Sequence, residues 1–169
     1  MRPFVHRNLP ALLLQAREAL MSRRRPALRR HGLSDQQWRV LRVLAEVAGD
    51  GRVDGGESAD GLVQAAASGG IETGALAKAA FILGPSLTGI LARMERDGLV
   101  LRKRLPSDAR RSWVAASAKG LALVSALSGD IESQYQEVSD HLGADRLQAL
   151  YAILDDLIDM NEVTDVSEP

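Results

Sequence analysis

Five basic side chains crowd the stretch from Arg102 to Arg111 (Arg102, Lys103, Arg104, Arg110 and Arg111), and Asp108 is the single acid among them. Such a cluster can bind a polyanion, because each cation that meets a phosphate releases a condensed counterion. Upstream, Ser86-Leu87-Thr88-Gly89 offers hydroxyls on small side chains that permit close approach, and Arg93 follows one helical turn later. These residue types suit recognition rather than bond-making. No nucleophile–base pair stands out, and there is no GxGxxG after a strand, no Walker loop and no HExxH. His6, His31 and His141 are scattered without carboxylates at ligand spacing, and the chain has no Cys, so no metal, thiol or disulfide chemistry is expected. The chain reads as a non-enzyme that needs no cofactor.

The formal net charge of −1 conceals a strong polarity. Residues 1–42 carry ten Arg against two acids, and residues 43–70 one Arg against five acids. Residues 71–120 carry nine basic and four acidic residues, whereas residues 121–169 carry one Arg against eleven acids. This pattern fits either a basic surface that meets a polyanion, with an acidic end held away from it, or solvated faces on separate helices. The length of 169 residues, with 46% hydrophobic and 25% charged, suits one globular domain with accessory helices. No apolar run approaches the ~18 residues of a spanning helix. Met1-Arg2-Pro3-Phe4 does not open a signal-peptide pattern. A cytoplasmic protein without a membrane partner is the expectation.

Helical spacing of Leu9, Leu12, Leu13, Ala16, Leu20 and Met21 predicts a first helix from about Asn8 to His31, with Gly32 at its C-terminal cap. Ser34-Asp35-Gln36-Gln37 has the form of a capping box and opens a second helix whose apolar face is Trp38, Leu41, Leu44 and Ala45, fading by Ala48. Residues 49–70 are rich in Gly, Ala, Ser and Asp, carry net charge −3 and lack periodicity. They predict a mobile insertion loop with a helical turn near Leu62-Val63-Gln64-Ala65. A short helix over Thr73–Phe81, a turn at Leu83-Gly84 and a helix over Pro85–Asp97 follow, the last with Leu87, Ile90, Leu91 and Met94 on its core face. Leu99–Leu105 and Ser112–Ala116 predict two short strands joined through Pro106-Ser107-Asp108-Ala109. Long helices over Lys119–His141 and beyond Gly143 complete the chain. Short helix, tight turn, helix and basic hairpin in that order make a mainly α, winged helix-turn-helix fold with a two-stranded β-wing and terminal dimerisation helices. The expected organisation is 1–33 for the N-terminal dimerisation helix, 34–118 for the DNA-binding domain, 119–163 for the C-terminal dimerisation helices and 164–169 for a frayed tail.

The residues from Pro85 through Val100 (PSLTGILARMERDGLV) resemble the recognition helix and first wing strand of the MarR family of transcriptional regulators. Arg102, Asp108-Ala109-Arg110, Val114, Ser117 and Gly120 are similar to that family's wing signature. Within the family, Leu14-Gln15-Ala16-Arg17-Glu18, Gln36-Gln37-Trp38-Arg39 and Pro85-Ser86-Leu87-Thr88-Gly89 resemble regulators of homoprotocatechuate and related aromatic-acid catabolism. A basic residue common in that subgroup is replaced by Gly84, and a usual Leu by Ala116. A recognition helix presents its N-terminal residues to base edges, which assigns Ser86, Leu87, Thr88 and Gly89 to DNA, Ser86 also serving as a helix cap. Arg93 reaches a base or a phosphate, or else is a solvated surface residue. Arg102, Arg104, Arg110 and Arg111 belong to the wing, with Arg110 entering the minor groove. The resemblance implies that Asp108 anchors an Arg and shapes the tip; alternatively it is an Asx-turn residue.

One such module buries too little for tight specific binding, so a homodimer on double-stranded DNA is expected, with recognition helices about 34 Å apart over a pseudo-palindromic operator. The family responds to small aromatic acids, and for that role the chain offers Arg17, Met21, Ser22 and Arg25 on the first helix, with Trp38 to stack on a ring and Arg39 to assist. Against this, Arg17 can pair with an acid such as Glu18 or one on a partner chain, and Trp38 can be plain core. The function expected is a repressor of a catabolic operon, released by a phenolic or pyridine carboxylic acid. The alternative is an architectural or interaction protein of the same fold without effector response.

Overall fold

The computed structural model describes residues 5–50, 70–105 and 108–162, apart from the side chains at 50, 104–105, 108–111 and 161–162. The expected insertion loop with its helical turn, the hairpin tip at Pro106-Ser107 and the frayed tail therefore lie outside the described residues. Two compact units are present, Met1–Gly129 and Asp130–Pro169.

In the first unit, α1 (Leu9–Arg30) starts where the Asn8 side chain accepts a hydrogen bond from the Ala11 N–H at 3.1 Å. It stops at Gly32, whose φ of +69° lets Gly32 N–H and Leu33 N–H return to the carbonyls of Arg29 and Leu28. Arg29 and Arg30 occupy the last turn, where cations offset the helix dipole. Only Met21, Ala27 and Leu28 of this helix are buried, so its C-terminal half alone contributes to the core. The capping box of α2 (Asp35–Asp50) forms as its sequence predicts: Gln37 N–H donates to Ser34 Oγ at 3.2 Å, and Ser34 N–H donates to Gln37 Oε1 at 2.9 Å. Val40, Leu41 and Leu44 of α2 are fully buried, and the helix runs two residues beyond the expected fading at Ala48.

The wing differs from its expectation in two respects. A third strand, β1 (Ile71–Glu72), pairs antiparallel with β3 (Asp108–Ala116), which in turn pairs with β2 (Val100–Leu105), so the order is β1-β3-β2. Ile71 faces Val114, and Glu72 faces Trp113. Two residues carry too little alternation to be read as a strand, which is why the pattern suggested only a hairpin. Strand β3 also begins four residues earlier than Ser112, with Asp108 paired to Leu105 after a register shift between Arg104 and Leu105.

Between β1 and β2 lie α3 (Thr73–Ala79) and α4 (Gly84–Arg96). Thr73 Oγ1 donates to the Ser112 carbonyl at 2.7 Å, tying the start of α3 to β3. Leu76 of α3 and Leu87, Ile90, Leu91 and Met94 of α4 meet the core face of α2 and the sheet. Helix α4 ends at Gly98, with φ of +72° and a return bond from Leu99 N–H to the Met94 carbonyl.

Helix α5 (Ala118–Leu142) opens at Ser117. The Ser117 hydroxyl donates to the Gly98 carbonyl at 2.7 Å and accepts from Gly120 N–H at 3.0 Å. Gly120 is required by contact: a Cβ there would lie 2.2 Å from the Leu99 carbonyl oxygen. Gly143, at φ of +83°, ends α5, and α6 (Ala144–Glu162) follows in the second unit. Leu150, Tyr151, Ile153, Ile158 and Met160 of α6 are exposed. Among the described residues, no single helix is long and apolar enough to cross a membrane.

Candidate functional site

Two groups of residues stand out in the first unit. The first centres on α4. Pro85 near its start lacks the N–H that a first turn would orphan, and the flanking residue Leu83 makes no side-chain cap. Ser86 therefore does not cap this helix; it sits within the first turn, exposed, three residues past the N-cap position. Thr88 is exposed too, its hydroxyl 3.3 Å from the Gly84 carbonyl to which it donates. Gly89 has open space where a Cβ would stand, so another surface can approach the backbone. Arg93 is exposed one turn further along.

Leu87 corrects the sequence-based assignment. It is 0% exposed and belongs to the core. It shares the buried face of α4 with Ile90, Leu91 and Met94, about 100° round the helix from Ser86 and Thr88, so it anchors α4 and does not meet base edges.

The wing lies at the end of the same substructure. Arg102 is half-buried, and its Nε and Nη2 both donate to Ser112 Oγ at 3.3 Å. The same hydroxyl lies 2.7 Å from Thr73 Oγ1, so Thr73, Ser112 and Arg102 form one network joining α3, β3 and β2. The side chains of Arg104, Asp108, Arg110 and Arg111 fall outside the described ones; their backbones place them at the distal end of the hairpin.

The second group gathers where α1 meets the start of α2. Arg17 Nη2 donates to Asp35 Oδ2 at 2.9 Å, and the Arg17 side chain remains 48% exposed. Its acid is Asp35 across the helix pair, and Glu18 serves another partner: Arg25 bonds both carboxylate oxygens, with Nη2 to Oε2 at 2.8 Å. That bidentate contact holds the Glu18 carboxyl below the usual range, and Arg17 adds a weaker pull. Met21 is buried, and the Ser22 hydroxyl donates to the Ala19 carbonyl at 2.9 Å. Trp38 is buried with Nε1 unpaired among the described residues, and Asp35 Oδ1 is buried and unpaired as well. Arg39 turns away from α1. Its Nη1 donates to the carbonyls of Ala80 at 2.8 Å and Phe81 at 3.0 Å, while its Nε lies 3.6 Å from Asp35 Oδ2.

Asp35 is the residue that sequence reasoning passed over. In the sequence it looks like an ordinary first-turn acid favoured by the helix dipole. The available signal was its spacing: positions 35, 38 and 39 share one face of α2, so an acid stands beside the Trp and Arg already singled out. The unpaired indole N–H can only donate and the unpaired carboxylate oxygen can only accept.

The family model described as the MarR family matches residues 58–112. The homoprotocatechuate degradative operon repressor of Escherichia coli is 39% identical over 154 residues, covering 91% of this chain and 90% of that protein. Among solved structures, the transcriptional regulator PA4135 superposes with a TM-score of 0.73 at 40% identity, covering 91% of this chain and 98% of the other. NadR in complex with 4-hydroxyphenylacetate superposes with a TM-score of 0.71 at 33% identity, over 93% of this chain and 96% of the other.

Proposed function

The chain belongs to the MarR family of transcriptional regulators, which are not enzymes, and from that premise we propose that it is a homodimeric, sequence-specific DNA-binding repressor of an aromatic-catabolic operon, released by a small hydroxylated aromatic acid. The observation that carries the DNA half is the face of α4: Ser86, Thr88, Gly89 and Arg93 are exposed together on a helix whose opposite face is locked into the core. A helix so held enters a major groove as a rigid reader, and its hydroxyls and small residues suit close contact with base edges. Arg102 and the basic residues beyond it supply the wing, with Arg110 in the minor groove and Asp108 supporting the tip. Arg104 and Arg111 add phosphate contacts.

Dimerisation is supported by apolar rows left open within each unit. Leu9, Leu13, Leu14 and Leu20 of α1 are exposed, and so are Ile153, Ile158 and Met160 of α6. Apolar rows of this kind mark association surfaces.

The effector half rests on the unpaired indole N–H of Trp38 and carboxylate oxygen of Asp35. An aromatic acid placed there takes the Trp38 N–H and the Arg17 guanidinium with its carboxylate, and its hydroxyl donates a hydrogen bond to Asp35. Met21 supplies apolar contact; Ser22 and Arg25 line the approach along α1. Binding shifts the dimer toward a spacing that no longer fits the operator.

The test is a mobility shift on DNA from upstream of the chain's own gene, at several salt concentrations, with and without 4-hydroxyphenylacetate and a panel of phenolic and pyridine carboxylic acids. A retarded complex on a pseudo-palindromic fragment, weakened by at least one acid, is expected. A lone protomer without preference for any fragment refutes the DNA half. Equal affinities across the panel refute the effector half.

A further inference from the structure

The turn between α3 and α4 contains the one non-glycine residue at positive φ among the described residues, Phe81 at +50°. This is the left-handed cap that ends α3: Phe81 N–H returns to the Lys78 carbonyl and Ile82 N–H to the Ala77 carbonyl, each at 3.0 Å. Elsewhere the chain puts glycine in that conformation, at Gly32, Gly98 and Gly143. A β-carbon there crowds the following carbonyl, so a bulky aromatic holds the shape only where its surroundings impose it. The phenyl ring does not impose it, for Phe81 is 82% exposed. Ile82, buried next to it, gives the turn an anchor on one side. On the other side stands Arg39, whose Nη1 bridges the carbonyls of Ala80 and Phe81 from 41 and 42 residues away in sequence.

We propose that Arg39 is a positioning residue for DNA recognition, clamping the strained turn at Phe81 and so setting the angle at which α4 leaves it. The geometry accounts for each part of the clamp. A guanidinium beside the last carbonyls of a helix satisfies acceptors that the helix itself cannot, and its charge suits that end of the dipole. Asp35, 3.6 Å from Arg39 Nε, adds an ion pair without a hydrogen bond on the guanidinium's other side and is itself bonded by Arg17. Helix α4 begins at Gly84, three residues beyond Phe81, so any opening of the turn moves Ser86 and Thr88 as a body. Arg39 thus acts through the turn and does not touch DNA. The inference rests on the reading of α4 as the groove-entering helix.

The experiment compares the full chain with Arg39→Ala, Phe81→Gly and the double variant, by operator affinity and by amide hydrogen exchange at Phe81 and Ile82. Removing a charged donor from two carbonyls lowers affinity on the order of tenfold and speeds exchange at both amides by a similar factor. Glycine takes the left-handed conformation without strain, so Phe81→Gly alone binds as the parent does, and the double variant recovers to within about threefold of the parent. A merely structural role for Arg39 in α2 is not rescued by glycine at position 81. Parental affinity and exchange in Arg39→Ala overturn the proposal, and so does an undiminished loss in the double variant. If the parent chain binds no promoter fragment, the DNA reading fails, while exchange at Phe81 and Ile82 still decides whether the clamp exists.

Discussion

Replacing Gly120 by Ala sets two opposed effects against each other. Helix propensity favours the change by at most about 1 kcal/mol, since Gly is a poor residue inside a helix. Packing opposes it. The new Cβ would lie 2.2 Å from the Leu99 carbonyl oxygen and 3.2 Å from Leu41 Cδ2. To restore ordinary contact, the start of α5 must retreat from β2 by on the order of 1 Å in a close-packed interior. That retreat stretches the Ser117 N–H bond to the Leu99 carbonyl, now 3.0 Å, and the Ser117 hydroxyl bond to the Gly98 carbonyl, now 2.7 Å. Overpacking costs about 1–3 kcal/mol and each weakened bond about 1 kcal/mol, so the net loss comes to roughly 2–4 kcal/mol. Gly129, in the same helix with nothing within 4 Å of its missing Cβ, is the control. There Ala gains about 0.5–1 kcal/mol. Urea unfolding at one fixed protomer concentration reads both, since a dimer's midpoint depends on concentration. The midpoint falls by about 1 M or more for Gly120→Ala and rises slightly for Gly129→Ala. A Gly120→Ala midpoint at or above the parent's, or two shifts of the same sign, refutes the packing argument.

Other outcomes follow from the same reasoning. Ser34→Ala removes the acceptor for Gln37 N–H and lowers stability by about 1 kcal/mol, read from the urea midpoint. Because Glu18 is held below its ordinary range, its pairing with Arg25 contributes above the unfolded carboxyl's titration and fades as pH falls through the folded value. The stability gap between the parent and Glu18→Gln therefore narrows below about pH 4, and a gap that widens there refutes the assignment. Arg110→Ala weakens operator binding at every salt concentration and lowers the salt slope by about one, whereas unchanged affinity and slope remove Arg110 from the DNA interface. Ser86→Ala and Thr88→Ala change base preference more than overall affinity, as read from a panel of operator variants.

Much of this protein is determined locally. The Ser34–Gln37 capping box, the glycine stops at 32, 98 and 143, and the apolar stripe of Leu87, Ile90, Leu91 and Met94 all formed as read, because each is specified within a turn or two of chain. Polarity of charge and the order of short helix, turn, helix and hairpin were legible for the same reason. What the tertiary structure alone decided are choices among partners far apart in sequence. Arg17 meets Asp35 and leaves Glu18 to Arg25; Arg39 crosses to the turn before α4; the two-residue β1 finds β3; and Gly120 is pinned beneath Leu99. A guanidinium on a flexible stem can reach several acceptors, and only the packed arrangement of helices sets which of them lies at hydrogen-bonding distance. Phe81 shows the same division most sharply, for a left-handed backbone that local rules reserve for glycine is imposed on a phenylalanine by contacts closed only when the chain is folded.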